Sequence, residues 1–384
     1  MSVAPRTTTD NPLPPAATPM HVAVYMADQN PHRDRSQGIT SMTRTLMDEF
    51  AVRDDLRLTQ IVSSSSHRQT QPNIQTSSIP FRTDGRAGRL IADAIHPWIA
   101  RPDVDLWYYP KGYAPRSVKP YHPSVGTMHD TIVQYYADHY PDSRSPRAFR
   151  YWIELTKRSL QEFSYVLTIS QHAAGQLREF CDRYQITPPP IEVTYEGSSW
   201  ESVRDVRYEK NECVTHLASQ APHKGTNRLL KFWETLQSRG RDLPRLELIG
   251  RLDKEGEQIA TRLRNFVQHP PQPLEDLQTT IGRARALLLP SEIEGFGLPA
   301  LEAYYVGTPT CYVRGTSVGE VVDERGRAGE FDLTDVDDFE RSFDWALSID
   351  EPTIRSIGDA MYDRFSNKVI AERIVAAFRR AVSV

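Results

Sequence analysis

The sequence predicts an α/β protein built as two consecutive strand-and-helix halves, and three observations predict it. Short apolar runs of strand length alternate with segments whose apolar residues recur at helical spacing. A proline cluster, Pro188-Pro189-Pro190, and a polar run over 201–212 interrupt the chain near its middle. Late in the chain Ala286-Leu287-Leu288-Leu289 reads as a strand, Pro290 to Gly297 as a glycine-bearing loop and Leu298 to Val306 as a helix. That order puts a loop at the carboxyl end of a strand, where α/β domains bind ligands and a helix start offers free N–H groups to an anion.

At 384 residues, 39% hydrophobic and 25% charged, the chain has room for two cores and reads as globular. No uninterrupted apolar stretch approaches the roughly 20 residues of a membrane span. Residues 1–19 hold Pro, Thr and Ala without the apolar segment of a signal peptide, so they read as a disordered tail and a cytoplasmic location is expected. Cys181, Cys213 and Cys311 are widely spaced and form no metal or redox motif. A formal net charge of −4 argues against a dedicated nucleic-acid binder.

In the first half, His21 to Met26 is a strand, and Ile39, Met42, Leu46, Met47 and Phe50 mark the helix after it. Gly38 stands between the two, where backbone can approach a ligand closely. The G-x-G-x-x-G pattern is missing there, which disfavours a dinucleotide-dependent dehydrogenase. Leu56 to Val62 is the next strand, and 63–88, rich in Ser, Thr, Gln and Arg, reads as a long loop or poorly ordered insertion. A helix over Leu90 to Ile99 and a strand around Val104 to Tyr108 follow.

The strand Ser124 to Met128 delivers His129 and Asp130 to its carboxyl end. A histidine there can donate to a hydroxyl or phosphate and titrates near neutrality, but it can equally be an ordinary loop residue, and the residues alone leave both open. Phe149, Trp152, Ile153, Leu160 and Phe163 form an apolar helix face beside a basic one of Arg144, Arg147, Arg150, Lys157 and Arg158. Such a helix can lie on an anionic membrane. Glu154 and Glu162 interrupt its positive field and favour a core helix with a solvated basic side. Tyr165 to Ile169 is a strand ending at Ser170, and Ile191 to Tyr195 a strand running into Glu196-Gly197-Ser198-Ser199.

The second half opens with the strand Val214 to Ala218, the turn Ser219 to Gly225 and a helix burying Leu229, Leu230, Trp233 and Leu236. Lys224, near that helix start, can neutralise a phosphate or simply be solvated. A strand Leu246 to Gly250, a helix Glu255 to Val267 and a short helix Leu274 to Arg283 lead to the strand–loop–helix stretch. Two carboxylates frame that stretch: Glu294 in the loop, and Glu302 on the helix, suited to accept from a diol such as a ribose. Gly307-Thr308-Pro309, the strand Thr310 to Val313 and a small-residue loop ending in Glu320 follow, with a terminal helix through Ile370, Ile374, Ala377, Phe378 and Ala381. Asp103-Val104-Asp105 and Asp335-Val336-Asp337 have the two-aspartate spacing of metal-dependent transferases, but the first is a turn and the second an acidic loop, so no metal is expected.

The run Glu294-Gly295-Phe296-Gly297-Leu298-Pro299 to Glu302 resembles the signature of the retaining glycosyltransferases of the GT-B fold, of the large family 4 or group 1 type. The resemblance follows most of the chain from His21 and is sharpest in the second half. It implies two Rossmann-like domains facing across a deep cleft: an acceptor domain over 20–197, a nucleotide-sugar domain over 198–365, and a terminal helix over 366–384 that crosses back to the first. Glu294 would lie at the donor sugar, Glu302 on the nucleotide ribose, and the amides of Gly295, Phe296, Gly297 and Leu298 on sugar and diphosphate. His129 would stand at the reaction centre, with Asp130 orienting the loop or the histidine. Lys224 would face the diphosphate, with Gly38 opposite it. Tyr135 to Pro146 would be a mobile loop beside the acceptor, Ser170 would face the cleft, and Glu320 would fix its own loop.

One departure stands out. Many members carry an arginine five residues before the lysine, where this chain has Ser219; losing that guanidinium weakens the diphosphate clamp, and Arg251 is a candidate to compensate. The implied reaction moves a hexose-type sugar from a nucleotide diphosphate to a hydroxyl of a saccharide, a lipid-linked saccharide or a small-molecule glycoside, without a cofactor. A lipid acceptor would bring a peripheral membrane contact. Two other readings stay open: another sugar-nucleotide enzyme, such as an epimerase or hydrolase, and a catalytically weak scaffold of the same fold.

Overall fold

A computed structural model describes residues 18–29, 37–64, 66, 68–83, 85–99, 103–114, 120–121 and 123–383. Most of the tail expected over 1–19, and the turn before Gly38, lie outside the described residues.

The first lobe runs β1 (Met20–Tyr25), α1 (Gln37–Ala51), β2 (Leu56–Ser63), β3 (Ile74–Ile79), α2 (Arg86–Ile99), β4 (Leu106–Tyr109), β5 (Ser124–Met128), α3 (Ile132–His139), α4 (Pro146–Glu162), β6 (Tyr165–Thr168), α5 (Gln171–Tyr184) and β7 (Ile191–Val193). The second runs β8 (Cys213–Ala218), α6 (Thr226–Ser238), β9 (Arg245–Gly250), α7 (Lys254–Ala260), β10 (Phe266–His269), α8 (Leu274–Arg283), β11 (Leu287–Leu289), α9 (Leu298–Tyr305), β12 (Thr310–Val313), α10 (Val318–Val321) and β13 (Glu330–Phe331). α11 (Val336–Ser348), α12 (Glu351–Phe365) and α13 (Asn367–Ser383) close the chain.

Both sheets are parallel, in the orders β3-β2-β1-β4-β5-β6-β7 and β10-β9-β8-β11-β12-β13. Parallel strands buried on both faces need apolar runs, and β4, β6, β11 and β12 are buried throughout. The strand order reverses between β1 and β4 and between β8 and β11. At such a reversal the loops leave in opposite directions and open a crevice at the strands' carboxyl ends. The loops after β8 and β11 therefore flank the second lobe's crevice.

The helices start where the sequence supplies caps. Ser145 accepts from the Ala148 N–H at α4, Ser170 from Ala173 at α5, and Asp335 from Asp337 and Asp338 at α11. α13 packs on the first sheet: Phe378 lies 5.9 Å from the Phe50 ring and 4.9 Å from that of Tyr108, and Arg379 and Arg380 pair with Asp55 and Glu192. A fully buried phenylalanine such as Phe378 stabilises that docking by about 1.5–3 kcal/mol.

Three expectations are corrected. The segment 63–88 is not one long loop: β3 pairs with β2 over six residues and α2 begins a turn earlier than expected. Its strand IQTSSI buries only its terminal isoleucines, because an edge strand needs little apolar surface. The helix from Glu255 ends at Ala260, and β10 follows; Asn265, at φ +53°, turns the chain into β10 and its side chain donates to the Leu243 carbonyl. The Tyr135 to Pro146 segment is α3, a 3-10 turn over Pro141–Ser143 and the start of α4 rather than a loop, since its tyrosines dock on the second lobe.

Candidate active site

The loop from Pro290 to Gly297 is tied down almost wholly through its carbonyls. Ser170 Oγ, on the first lobe, donates to the Gly295 carbonyl at 2.6 Å, and Ser317 Oγ to that of Glu294 at 2.9 Å. The Glu292 N–H donates to the His223 carbonyl at 2.7 Å. Gly225, at φ +66°, presses so close to the Pro290 carbonyl that a Cβ would sit 1.9 Å from it, which locks the turn after β8 against the loop after β11. By contrast, the N–H groups of Gly295, Phe296, Gly297 and Leu298 donate to no carbonyl or side chain among the described residues. Gly297 caps α9 at φ +106°. Four unpartnered amides at the start of a helix make a site for an anion.

Phe296 itself points away from that site, its ring 5.3 Å edge-to-face from Phe365 and 6.4 Å from Tyr195. It anchors the loop in the core while its amide stays free. Leu298 lies 3.9 Å from where a Gly38 Cβ would be, so Gly38 opposes the amide row from the first turn of α1. Gly38 is thus a helix residue, not part of the preceding turn.

Lys224 ends a 3-10 turn over Pro222–Lys224, and its Nζ donates to Glu294 Oε1 at 2.6 Å. Glu294 is buried; burial opposes its ionisation, but Lys224 with hydrogen bonds from Lys224 and Ser291 outweighs this and holds its carboxyl below the ordinary value. Behind the lysine, burial and the Lys224 charge push His223 down to about 4, and its Nδ1 lies 2.6 Å from Tyr136 Oη on the first lobe. His216 joins the Leu288 carbonyl and Thr226 Oγ1 at 2.9 Å each, linking β8, β11 and the start of α6.

Ser219 does not reach out as a substitute for an arginine: its Oγ accepts from the Ala221 N–H at 3.1 Å and shapes its own turn. Arg251 is exposed at the carboxyl end of β9, the neighbour of β8. Glu302 accepts from Ser198 Oγ at 2.8 Å, and burial raises its carboxyl to about 7.

His129 is buried, and its Nε2 lies 2.9 Å from the Pro110 carbonyl. A carbonyl only accepts, so Nε2 carries the proton. Burial lowers the imidazole to about 4, which corrects the expectation of titration near neutrality: the ring is neutral at physiological pH. Asp130 does not hold the histidine either. Its Oδ1 accepts from the Ile132 N–H at 3.0 Å and starts α3.

Several residues unassigned by the sequence belong to this architecture. Glu292 Oε2 accepts from Tyr135 and Tyr140 at 2.8 and 2.6 Å, while its Oε1 pairs with Arg228 at 2.5 Å, bridging the lobes. Glu320 accepts from the Gln171 and His172 N–H groups at the start of α5 at 2.8 and 2.6 Å, so it fastens the other lobe rather than its own loop. Glu196 is buried at the crossing between lobes. A carboxylate within two residues of the Glu294 motif was the only signal for Glu292, Glu196 had none, and Glu320 was expected at its own loop with nothing to point to the other lobe. Among the described residues no three His, Cys, Asp or Glu side chains converge as a metal site would require.

Residues 200–364 match the family described as glycosyl transferases group 1. The chain has the two-lobed GT-B fold, and its second lobe carries the match to that family. An MMP α-(1→4)-mannosyltransferase of Mycolicibacterium hassiacum is 27% identical over 254 residues, 62% of this chain and 60% of the relative. The chain thus spans less than two thirds of that relative's length. An O-antigen chain mannosyltransferase B of Escherichia coli is 26% identical over 334 residues, 78% of this chain and 84% of the relative. Among solved structures, a sucrose-phosphate synthase from Thermosynechococcus elongatus superposes with a TM-score of 0.68 at 15% identity, covering 95% of this chain and 99% of that one. Likeness at that identity speaks for the two-lobed fold.

Proposed function

We propose that this protein is a glycosyltransferase that moves a hexose-type sugar from a nucleotide diphosphate donor to a hydroxyl of a saccharide, lipid-linked saccharide or small-molecule glycoside, with retention of configuration. The observation that carries it is the 2.6 Å pair of Lys224 and Glu294 beside four unpartnered amides at the start of α9. An ammonium and a row of N–H groups suit a diphosphate, and a carboxylate held ionised suits the hydroxyls of a sugar attached to it. Glu302, on the same helix, suits the ribose.

In the transfer the bond from the anomeric carbon to the diphosphate oxygen breaks, and the bond to the acceptor oxygen forms on the same face. The acceptor's proton passes to the departing diphosphate. Lys224 and the amides from Gly295 to Leu298 take up the charge developing on that diphosphate. Neutral His129 supports the sugar from the first lobe through the ring nitrogen not engaged by Pro110. Lobes over 20–197 and 198–365, with the terminal helix over 366–384 docked on the first, would close about the crossing near residues 194–199. No metal is needed where lysine and amides meet the phosphates.

Two relatives are named mannosyltransferases, so mannosyl donors come first in the test. The enzyme is incubated with UDP-, GDP-, ADP- and TDP-sugars, and melting shifts are followed by release of nucleoside diphosphate with and without saccharide acceptors. Acceptor-dependent release supports the reading; binding with release to water alone points to a hydrolase. If no nucleotide sugar shifts the melting temperature, the donor site is misassigned. Three buried free thiols suit the reducing cytoplasm as its location. No described helix is long and apolar enough to cross a membrane, and a peripheral contact through the basic face of α4 would go with a lipid-linked acceptor.

A further inference from the structure

The crossing from β7 to the second lobe carries a carboxyl that the transfer described above does not use. Tyr195 adopts φ +65°, a conformation that a tyrosine rarely takes, and the next residue, Glu196, is left only 4% exposed. No described residue gives its carboxyl a hydrogen bond or an ion pair. The charges that act on it are those of Glu302 on α9 and Asp130 after β5, both negative, and Tyr108 on β4 feels its charge in turn. Arg373, on α13, lies over the Tyr195 ring at 5.2 Å from its centroid instead of on the carboxyl. Glu196 therefore feels the charges of Glu302 and of Asp130, with no described cation to balance them.

A buried carboxylate in that position would be intolerable next to two others and would repel a diphosphate. A carboxylic acid there has one O–H to give and, among the described residues, no protein acceptor to give it to. We propose that Glu196 is a further donor-binding residue, an uncharged carboxylic acid that gives its O–H to the ribose-diphosphate portion of the nucleotide. This rests on the donor-site reading above. Burial and the two negative neighbours raise its carboxyl to about 8, in keeping with the geometry. Glu302 plays the complementary part, its carboxyl oxygens accepting from the ribose diol. The pair thus divides the labour of one donor and one acceptor between two carboxyls that share a site.

The test uses the full chain and the nucleoside diphosphate, among UDP, GDP, ADP and TDP, that binds tightest at pH 7, with affinity measured by calorimetry from pH 6.5 to 9.5. Between about pH 8 and pH 9 the diphosphate is fully ionised and the base is still neutral, so there the protein's own groups set the slope. In the wild type, affinity should fall by about tenfold per pH unit once Glu196 ionises. Glu196→Gln keeps an N–H donor but cannot ionise; it should bind within about threefold of wild type at pH 7 and lose the alkaline fall. An infrared spectrum of the unliganded protein at pH 7 should carry a protonated-carboxyl band that E196Q removes, a readout independent of binding. If a diphosphate binds and E196Q follows the wild-type profile, or if the band is missing from the wild type, the role of Glu196 is overturned while the donor site stands. If no nucleoside diphosphate binds at any pH, the donor site falls and takes this inference with it.

Discussion

Glu320 of the second lobe and His172 of the first are joined by a 2.6 Å hydrogen bond from the His172 backbone N–H to Glu320 Oε1. With the Gln171 N–H at 2.8 Å on its other oxygen, the carboxylate caps α5 from across the cleft. Glu320 lies on α10, and Ser317, just before that helix, holds the Glu294 carbonyl, so one short segment sets both the lobe contact and the candidate donor loop. Glu320→Ala should lower stability by about 0.5–2 kcal/mol, the range for losing a helix N-cap. Denaturant titration measures it, and small-angle scattering should show a more open mean arrangement of the lobes. Unchanged stability would mean that the contact is surface decoration.

Lys224 and Glu294 should separate by their effect on turnover. Removing the ammonium from a leaving-group clamp costs about 10²–10³-fold in kcat, by analogy with the loss of one oxyanion donor. K224A should show that loss in a donor-release assay with an unchanged circular dichroism spectrum. Its Glu294 carboxyl should also ionise at higher pH, because burial then acts without the lysine.

Gly225→Ala probes the lock between the two loops. The new methyl would meet the Pro290 carbonyl at 1.9 Å, a backbone atom that cannot swing aside, and φ is +66°. The expected cost exceeds about 1 kcal/mol, read as a lowered Tm, together with loss of nucleotide binding. Gly240→Ala is the control, for its φ of +81° carries the same backbone penalty with no atom in the way. Equal effects at the two sites would show that backbone strain alone is at work.

The raised carboxyls give stability a pH dependence of known sign. Glu196 and Glu302 ionise at about 8 and about 7 in the folded protein, against an ordinary value of 4.5. Between 4.5 and those values the native state holds more protons than the unfolded chain, so their contribution to stability falls as pH rises. E196Q removes one such group. Its Tm relative to wild type should therefore climb from pH 5 to pH 8, and an offset independent of pH would count against the buried position of Glu196.

His129 yields a prediction about shape of profile rather than size. With the ring lowered to about 4, the pH dependence of kcat/KM should contain no limb near the ordinary histidine value that disappears in H129Q. A limb near pH 6.5 that H129Q abolishes would show the ring to be more solvated than its burial implies.

The legible part of the molecule is the part encoded locally. The apolar runs of β1, β5, β8 and β11, the glycine turn before α9 and the spacing of Glu294 and Glu302 stand in short stretches, and each is readable from its own neighbours. What misleads are segments whose order comes from distant partners. β3 is polar because it is an edge strand held by β2, and the Tyr135 to Tyr140 stretch reads as a loop until Glu292, more than 150 residues away, gives its tyrosines an acceptor.

The sequence by itself determined two α/β halves, the strand–glycine–helix loop and the residue types a nucleotide sugar would ask for. Only the tertiary structure decided their states and partnerships: a lysine against Glu294, a neutral His129, a carboxyl at 196 with two negative neighbours, and Glu320 fastened to the opposite lobe. The reason is physical. A side chain's type follows from the local code, but its ionisation and its hydrogen bonds depend on burial and on charges that the fold brings together from far along the chain.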